Sequence, residues 1–203
     1  MTAFITPCYA NTLRKRVRDA LARSVLAGVL SVFLATAAWA DAEIRYAAIV
    51  PGLEGYVLNA DIDLDLGPRL ADAVSRGVSL YFNIELVIEQ PRWWWFDQKI
   101  VERRRNYRLS YNAITRSYRL SIGSLHRNYD TLEAALGTLT RVRSWPVADV
   151  AALEPGQSYK VALRFRHDKS MLPRPFQVST IGSADWNLST PWMEWTFLAG
   201  ASR

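Results

Sequence analysis

Three aspartates alternate with apolar residues in Asp61-Ile62-Asp63-Leu64-Asp65, and Asp72 stands twelfth counting from the first. Carboxylates spaced in this way open the oxygen-ligand loops that hold calcium. The sixth position, however, is Leu66 where such a loop needs glycine for its turn, and the twelfth is Asp instead of a bidentate Glu. A strand explains the same letters: Ile62, Leu64 and Leu66 point inward while Asp61, Asp63 and Asp65 point to water. The strand is the preferred reading, with the three aspartates kept as calcium candidates and no cofactor expected.

His167-Asp168 could be written as a base beside its orienting carboxylate, with Ser170 close by. Neighbours on a strand face opposite sides, which works against a dyad, and neither G-x-S-x-G nor a histidine-rich metal spacing is present. No catalytic residue is assigned. Paired carboxylates drawn from Asp61, Asp63, Asp168 and Asp185 form an alternative, an envelope hydrolase acting on glycan or peptide.

Two other clusters suit binding better than catalysis. In Pro91-Arg92-Trp93-Trp94-Trp95-Phe96-Asp97 four large rings follow one another. On a continuing strand Trp93 and Trp95 face one side and Trp94 and Phe96 the other; in a bend the rings splay. Either they plug the core, or an exposed ring pair flanked by Arg92 and Lys99 stacks on a sugar, touches lipid head groups or anchors a protein. The second cluster is Glu102-Arg103-Arg104-Arg105-Asn106-Tyr107-Arg108, with Arg116, Arg119, Arg164 and Arg166 available elsewhere. Three consecutive arginines cannot all be core. The preferred reading is a solvated face on which Glu85, Glu89 and Glu102 pair across strands; a basic surface for an anionic partner is the other.

The elements that carry these residues are mainly strands. Val78 to Glu89 alternates most clearly, with Val78, Leu80, Phe82, Ile84, Leu86 and Ile88 on one face. Similar patterns place strands at Glu43–Val50, Gly55–Leu66, Lys99–Tyr111, Arg116–Gly123, Ser158–His167 and Trp192–Phe197. Two short helices interrupt them. Pro68 to Ser75 starts with a proline at a first helical position and can end at Gly77. Thr131 to Arg141 follows Asp130 as N-cap, with Glu133 completing a capping-box-like start. The expected fold is a two-layer antiparallel β-sandwich, an immunoglobulin-like architecture being one form of it.

The first forty residues read as an address. Arg14-Lys15-Arg16-Val17-Arg18 precedes an apolar run that ends in Ala38-Trp39-Ala40, the small-x-small pattern of a signal peptidase site. Residues 1–40 are therefore expected to be a cleaved signal peptide and 41–203 a single periplasmic domain. The alternative is an uncleaved segment anchoring the chain in the inner membrane, although the run is shorter than the roughly 20 residues that span a bilayer. Cys8, the only cysteine, lies in this segment. Its basic residues account for most of the +6 formal charge, which falls to about +2 for residues 41–203. That balance argues against a nucleic-acid binder.

GVSLYFNIELVIEQPRWWWFDQKIV, YRLSYNAITRSYRL, TLEAALGTLTRVRSWPV, YKVALRFRHDKSMLPRPFQV and WNLSTPWMEW, in that order, resemble a family of small exported proteins of Gram-negative bacteria catalogued as a domain of unknown function. The resemblance covers nearly all of residues 41–203. It implies no assigned activity, cofactor or catalytic residue, and it implies genes that often lie beside one for a membrane sensor kinase. The expectation is thus a non-catalytic β-sandwich that binds an envelope protein, such as the periplasmic part of a sensor kinase. Arg92, Trp93, Trp94, Trp95, Arg103, Arg104 and Arg105 are the expected contact residues, with membrane-surface contact as a further alternative.

Overall fold

The computed structural model describes residues 41–94, 96–172 and 186–200, so the proposed signal segment, Trp95 and Asp185 lie outside the described residues. Strand β1 (Asp41–Pro51) turns into β2 (Gly55–Asp65), and helix α1 (Gly67–Ser75) leads to β3 (Leu80–Gln90). Then follow β4 (Gln98–Asn112), β5 (Ser117–Ile122), β6 (Leu125–Tyr129) and helix α2 (Leu132–Leu139). The described part closes with β7 (Arg141–Asp149), β8 (Ser158–His167) and β9 (Met193–Leu198). Every pairing is antiparallel, in a three-stranded sheet of order β1-β2-β7 and a six-stranded sheet of order β6-β5-β4-β3-β8-β9.

The alternating residues of both sheets form one core. Tyr56, Leu58, Ala60 and Ile62 from β2 join Leu80, Phe82, Ile84, Leu86 and Ile88 from β3 and Val161, Leu163 and Phe165 from β8. Tyr56 meets Phe197 edge-to-face at 5.4 Å, linking the two sheets directly. The fold is mainly β, as the sequence pattern predicts, and Asp61, Asp63 and Asp65 do lie along strand β2.

Both helices end where local chemistry dictates. Asp65 Oδ1 accepts from Gly67 N at 2.8 Å before α1, and Gly77 follows that helix with φ 89, a left-handed conformation that favours glycine. For α2 the cap is Thr131, one residue after the expected Asp130: Thr131 is extended and its Oγ1 accepts from Ala134 N at 3.2 Å. The helix stops at Leu139, two residues short of the expected end, because Arg141 already pairs with Asp61 as the start of β7.

Strands β6 and β7 escape the periodicity argument, each for a physical reason. Leu125, His126, Arg127 and Asn128 are all exposed, so β6 has no buried face to mark it. In β7 Ser144 adopts φ 46 and the register with β2 shifts around it, which breaks the period of two. Asn59 Oδ1 accepts from Ser144 N at 2.9 Å across this irregularity. Pro146 is tolerated because β7 is the outer strand of its sheet.

Candidate functional site

The connection between β3 and β4 is the most exposed aromatic feature of the described chain. Trp93 is 89% exposed, Trp94 69% and Phe96 86%, so these rings project at the hairpin tip and do not plug the core. Trp93 and Trp94 pack against each other edge-to-face, 4.8 Å between centroids. Asp97 Oδ1 accepts from Arg92 N at 3.4 Å, and the Arg92 guanidinium donates to Gln98 Oε1, closing the base of the tip. Leaving three large rings in water forgoes the stabilisation that burial of each would bring, so this tip is not a packing device.

The arginine run divides by strand alternation. Arg103 and Arg105 lie on the core side of β4, where they reach across to β7: Arg103 Nε donates to Val147 O at 3.2 Å, and the Arg105 guanidinium lies 4.8 Å from the centre of the Trp145 ring. Arg104 points to the opposite, outer face of the six-stranded sheet. There it meets Glu85 of β3, its register partner, with Arg104 Nη2 2.9 Å from Oε1. From the other neighbouring strand, β8, Arg164 Nη2 approaches Glu85 Oε2 at 2.5 Å and Arg166 Nη2 approaches Oε1 at 3.1 Å. One carboxylate, its side chain 9% exposed, is thus shared by three guanidinium groups. Burial alone would push the Glu85 carboxyl up; hydrogen bonding from Arg164 and the charges of Arg166, Arg164 and Arg104 outweigh it and hold the group below its ordinary 4.5. Arg164 also stacks under Trp192, 4.4 Å from the ring centre.

The carboxylates considered for calcium or hydrolysis are engaged elsewhere. Asp61 pairs with Arg143 at 2.5 Å, Asp63 with Arg45, and Asp65 receives the Gly67 amide. Asp168 Oδ2 accepts from Asn83 Nδ2 at 3.0 Å, and its Oδ1 accepts from Ser170 Oγ at 2.6 Å. Among the described residues no group of three or more His, Cys, Asp or Glu side chains is placed to hold a metal ion.

His167 turns away from Asp168 into the core, as alternation requires. Its ring lies 5.4 Å from that of Phe82, and Nδ1 donates to Trp186 O at 3.2 Å. In that tautomer Nε2 is a bare acceptor, buried and without a partner. Burial is the largest influence on this imidazole and depresses its proton affinity below the ordinary 6.5, more than the Trp186 carbonyl restores. A group whose folded value is depressed stabilises the fold above the unfolded value and loses that stabilisation as pH falls through the folded one. Stability should therefore start to fall below about pH 6.5 and go on falling until pH passes below the folded value. In His167→Gln that component should vanish from a series of urea titrations that starts above about pH 6.5 and descends.

Sequence reasoning named Arg164 and Arg166 only as available cations; their convergence on Glu85 needs β8 to lie beside β3, which no local pattern states. Trp145 is not singled out by the sequence reading and Trp192 enters it only at the start of a predicted strand, yet each stacks with an arginine. The R-x-R spacing on β8, which puts both side chains on one face, is the signal that could have found the first pair.

Two antiparallel sheets around a shared core, with an aromatic hairpin tip and an arginine-bearing outer face, define the class as a mainly β two-sheet domain. The chain belongs to the family described as Domain of unknown function (DUF4390), which matches residues 40–196. No curated protein and no solved structure matches it. No helix among the described residues is long and apolar enough to cross a membrane.

Proposed function

We propose that the protein is a non-catalytic binding module of the cell envelope, exported by a cleaved signal peptide, which docks a protein partner through the β3–β4 hairpin tip. The observation that carries this reading is the exposure of Trp93, Trp94 and Phe96 at one turn. Tryptophan and arginine are the residue types most enriched where interface energy concentrates, and Arg92 and Lys99 flank these rings. The contact between Trp93 and Trp94 orders the rings beforehand, which lowers the entropy lost on binding. The periplasmic region of a membrane sensor kinase is the partner type this reading favours. The hydrolase alternative has less support, because Asp61 and Asp63 on β2 and Asp168 just past the end of β8 already have partners.

The same exposed rings, with cations at their base, favour one second reading: insertion of the tip into a membrane interface. A photoreactive amino acid in place of Trp94, activated in intact cells, separates the two. Capture of one specific protein is the expected result. Crosslinks to lipid alone, together with co-sedimentation of the purified chain with anionic vesicles at low salt, would replace docking by membrane attachment. No crosslink from a folded chain would remove the tip from the functional account.

A further inference from the structure

The outer face of the six-stranded sheet divides into two electrostatic halves. Near the hairpin tip the charges compensate: Lys99 pairs with Glu102 and Lys160 with Glu194, each at 3.0 Å, while Glu89 is the register partner of both Lys99 and Lys160. Beyond Glu85 they do not. Among the described residues, Arg104, Arg108, Arg119, Arg164 and Arg166 occupy that half against two carboxylates, Glu85 and Asp168. Glu85 already holds three of the five arginines. Among the described residues the partners of Arg108 and Arg119 are neutral: Arg108 donates to Ser79 Oγ at 3.2 Å and lies 5.8 Å from the centre of the Tyr81 ring, and Arg119 Nε donates to Asn128 Oδ1 at 3.2 Å.

We infer that this cationic half, with Arg108 and Arg119 at its free end, is a docking surface for an acidic segment of a partner protein. The shape favours a segment over a single small anion. From β5, which carries Arg119, to β8, which carries Arg164 and Arg166, is three strand spacings, about 14 Å, and Arg104 to Arg108 along β4 is also about 14 Å. Carboxylates two residues apart on an extended chain, about 7 Å, match an array of that size. Each exposed guanidinium edge can take one of them through paired N–H donors. A flat anionic bilayer fits less well, since lying across this face it would also approach Glu89, Glu102 and Glu194. The surface is also distinct from the tip: Arg108 pairs with Tyr81, about 30 Å along β3 from Gln90.

The test is binding of a fluorescent octaglutamate peptide to the purified full chain, with octalysine as control. We expect saturable binding at low salt that weakens by about tenfold or more on reaching 300 mM NaCl, as contacts between exposed charges do. The double variant Arg108→Gln/Arg119→Gln should bind at least about fivefold more weakly. Ser121→Glu, opposite Arg108 in the register, should do the same while removing no arginine, and Trp94→Ala should bind like the wild type. Absence of octaglutamate binding, or binding that both arginine-face variants retain, would overturn the inference. So would binding to phosphatidylglycerol vesicles that the double variant loses when octaglutamate is not bound, which would make lipid the ligand. Because Trp94→Ala is scored separately, failure of this surface leaves the hairpin-tip reading standing, and the converse.

Discussion

Phe165→Ala should destabilise the protein by about 3–5 kcal/mol, whereas Trp94→Ala should stay within about 0.5 kcal/mol of the wild type. Phe165 is fully buried and stacks on Phe82 with centroids 5.5 Å apart and planes 14° from parallel. Its backbone is held on both sides, by β3 and by Thr190, whose N donates to Phe165 O at 2.9 Å and whose Oγ1 accepts from Phe165 N at 3.0 Å. A wall tied down in that way cannot collapse into the space a lost ring leaves, so the cavity contribution adds to the lost burial. Trp94 has the larger ring but leaves most of it in water, and truncation there removes little that folding had gained. Urea unfolding with an unchanged m-value is the measurement. Equal losses in the two variants would mean that Trp94 is covered in solution, and the tip would then be part of a packed interface and not a free docking element.

The contrast between these two rings shows what a sequence can and cannot declare. Alternation from Leu80 to Ile88 assigns Phe82 to a face and the company of that face identifies it as core. For the run from Trp93 to Phe96 alternation assigns sides equally well, yet it is silent on whether anything covers them, because cover comes from other parts of the chain. The arginines teach the same lesson. Arg104 opposite Glu85 follows from the β3–β4 hairpin, a local connection, while Arg164 and Arg166 come to the same carboxylate from 79 and 81 residues away. Strand β7, with Ser144 at positive φ and Pro146 in its outer edge, has a conformation set by its partner β2 more than by its own residues.

Glu85→Gln isolates the charge of that shared carboxylate while keeping its volume. The expected loss is about 2–3 kcal/mol at neutral pH, below the 3–5 of a fully buried pair because solvent screens the partly exposed arginines. Arg104, with 52% of its side chain exposed, contributes least to the loss; Arg164, at 29%, contributes most. What the substitution leaves behind is three guanidinium groups around a neutral amide, so mutual repulsion should appear as a new salt dependence, with added NaCl restoring part of the lost stability. Removing one cation should help as well: Glu85→Gln/Arg164→Gln is expected to be less destabilised than the sum of its single variants, the sign of a directly coupled pair. The pH dependence gives an independent check. The Glu85 carboxyl is held below its ordinary 4.5 in the fold, so its stabilisation is complete above that value and is lost as pH falls through the folded one. The gap between wild type and Glu85→Gln should therefore begin to close as pH falls below 4.5 and disappear once pH is below the folded value, while Asp168, which is also held low, continues to titrate in both. A gap between them that persisted unchanged into strong acid would show that shape and hydrogen bonding at this position matter more than its charge.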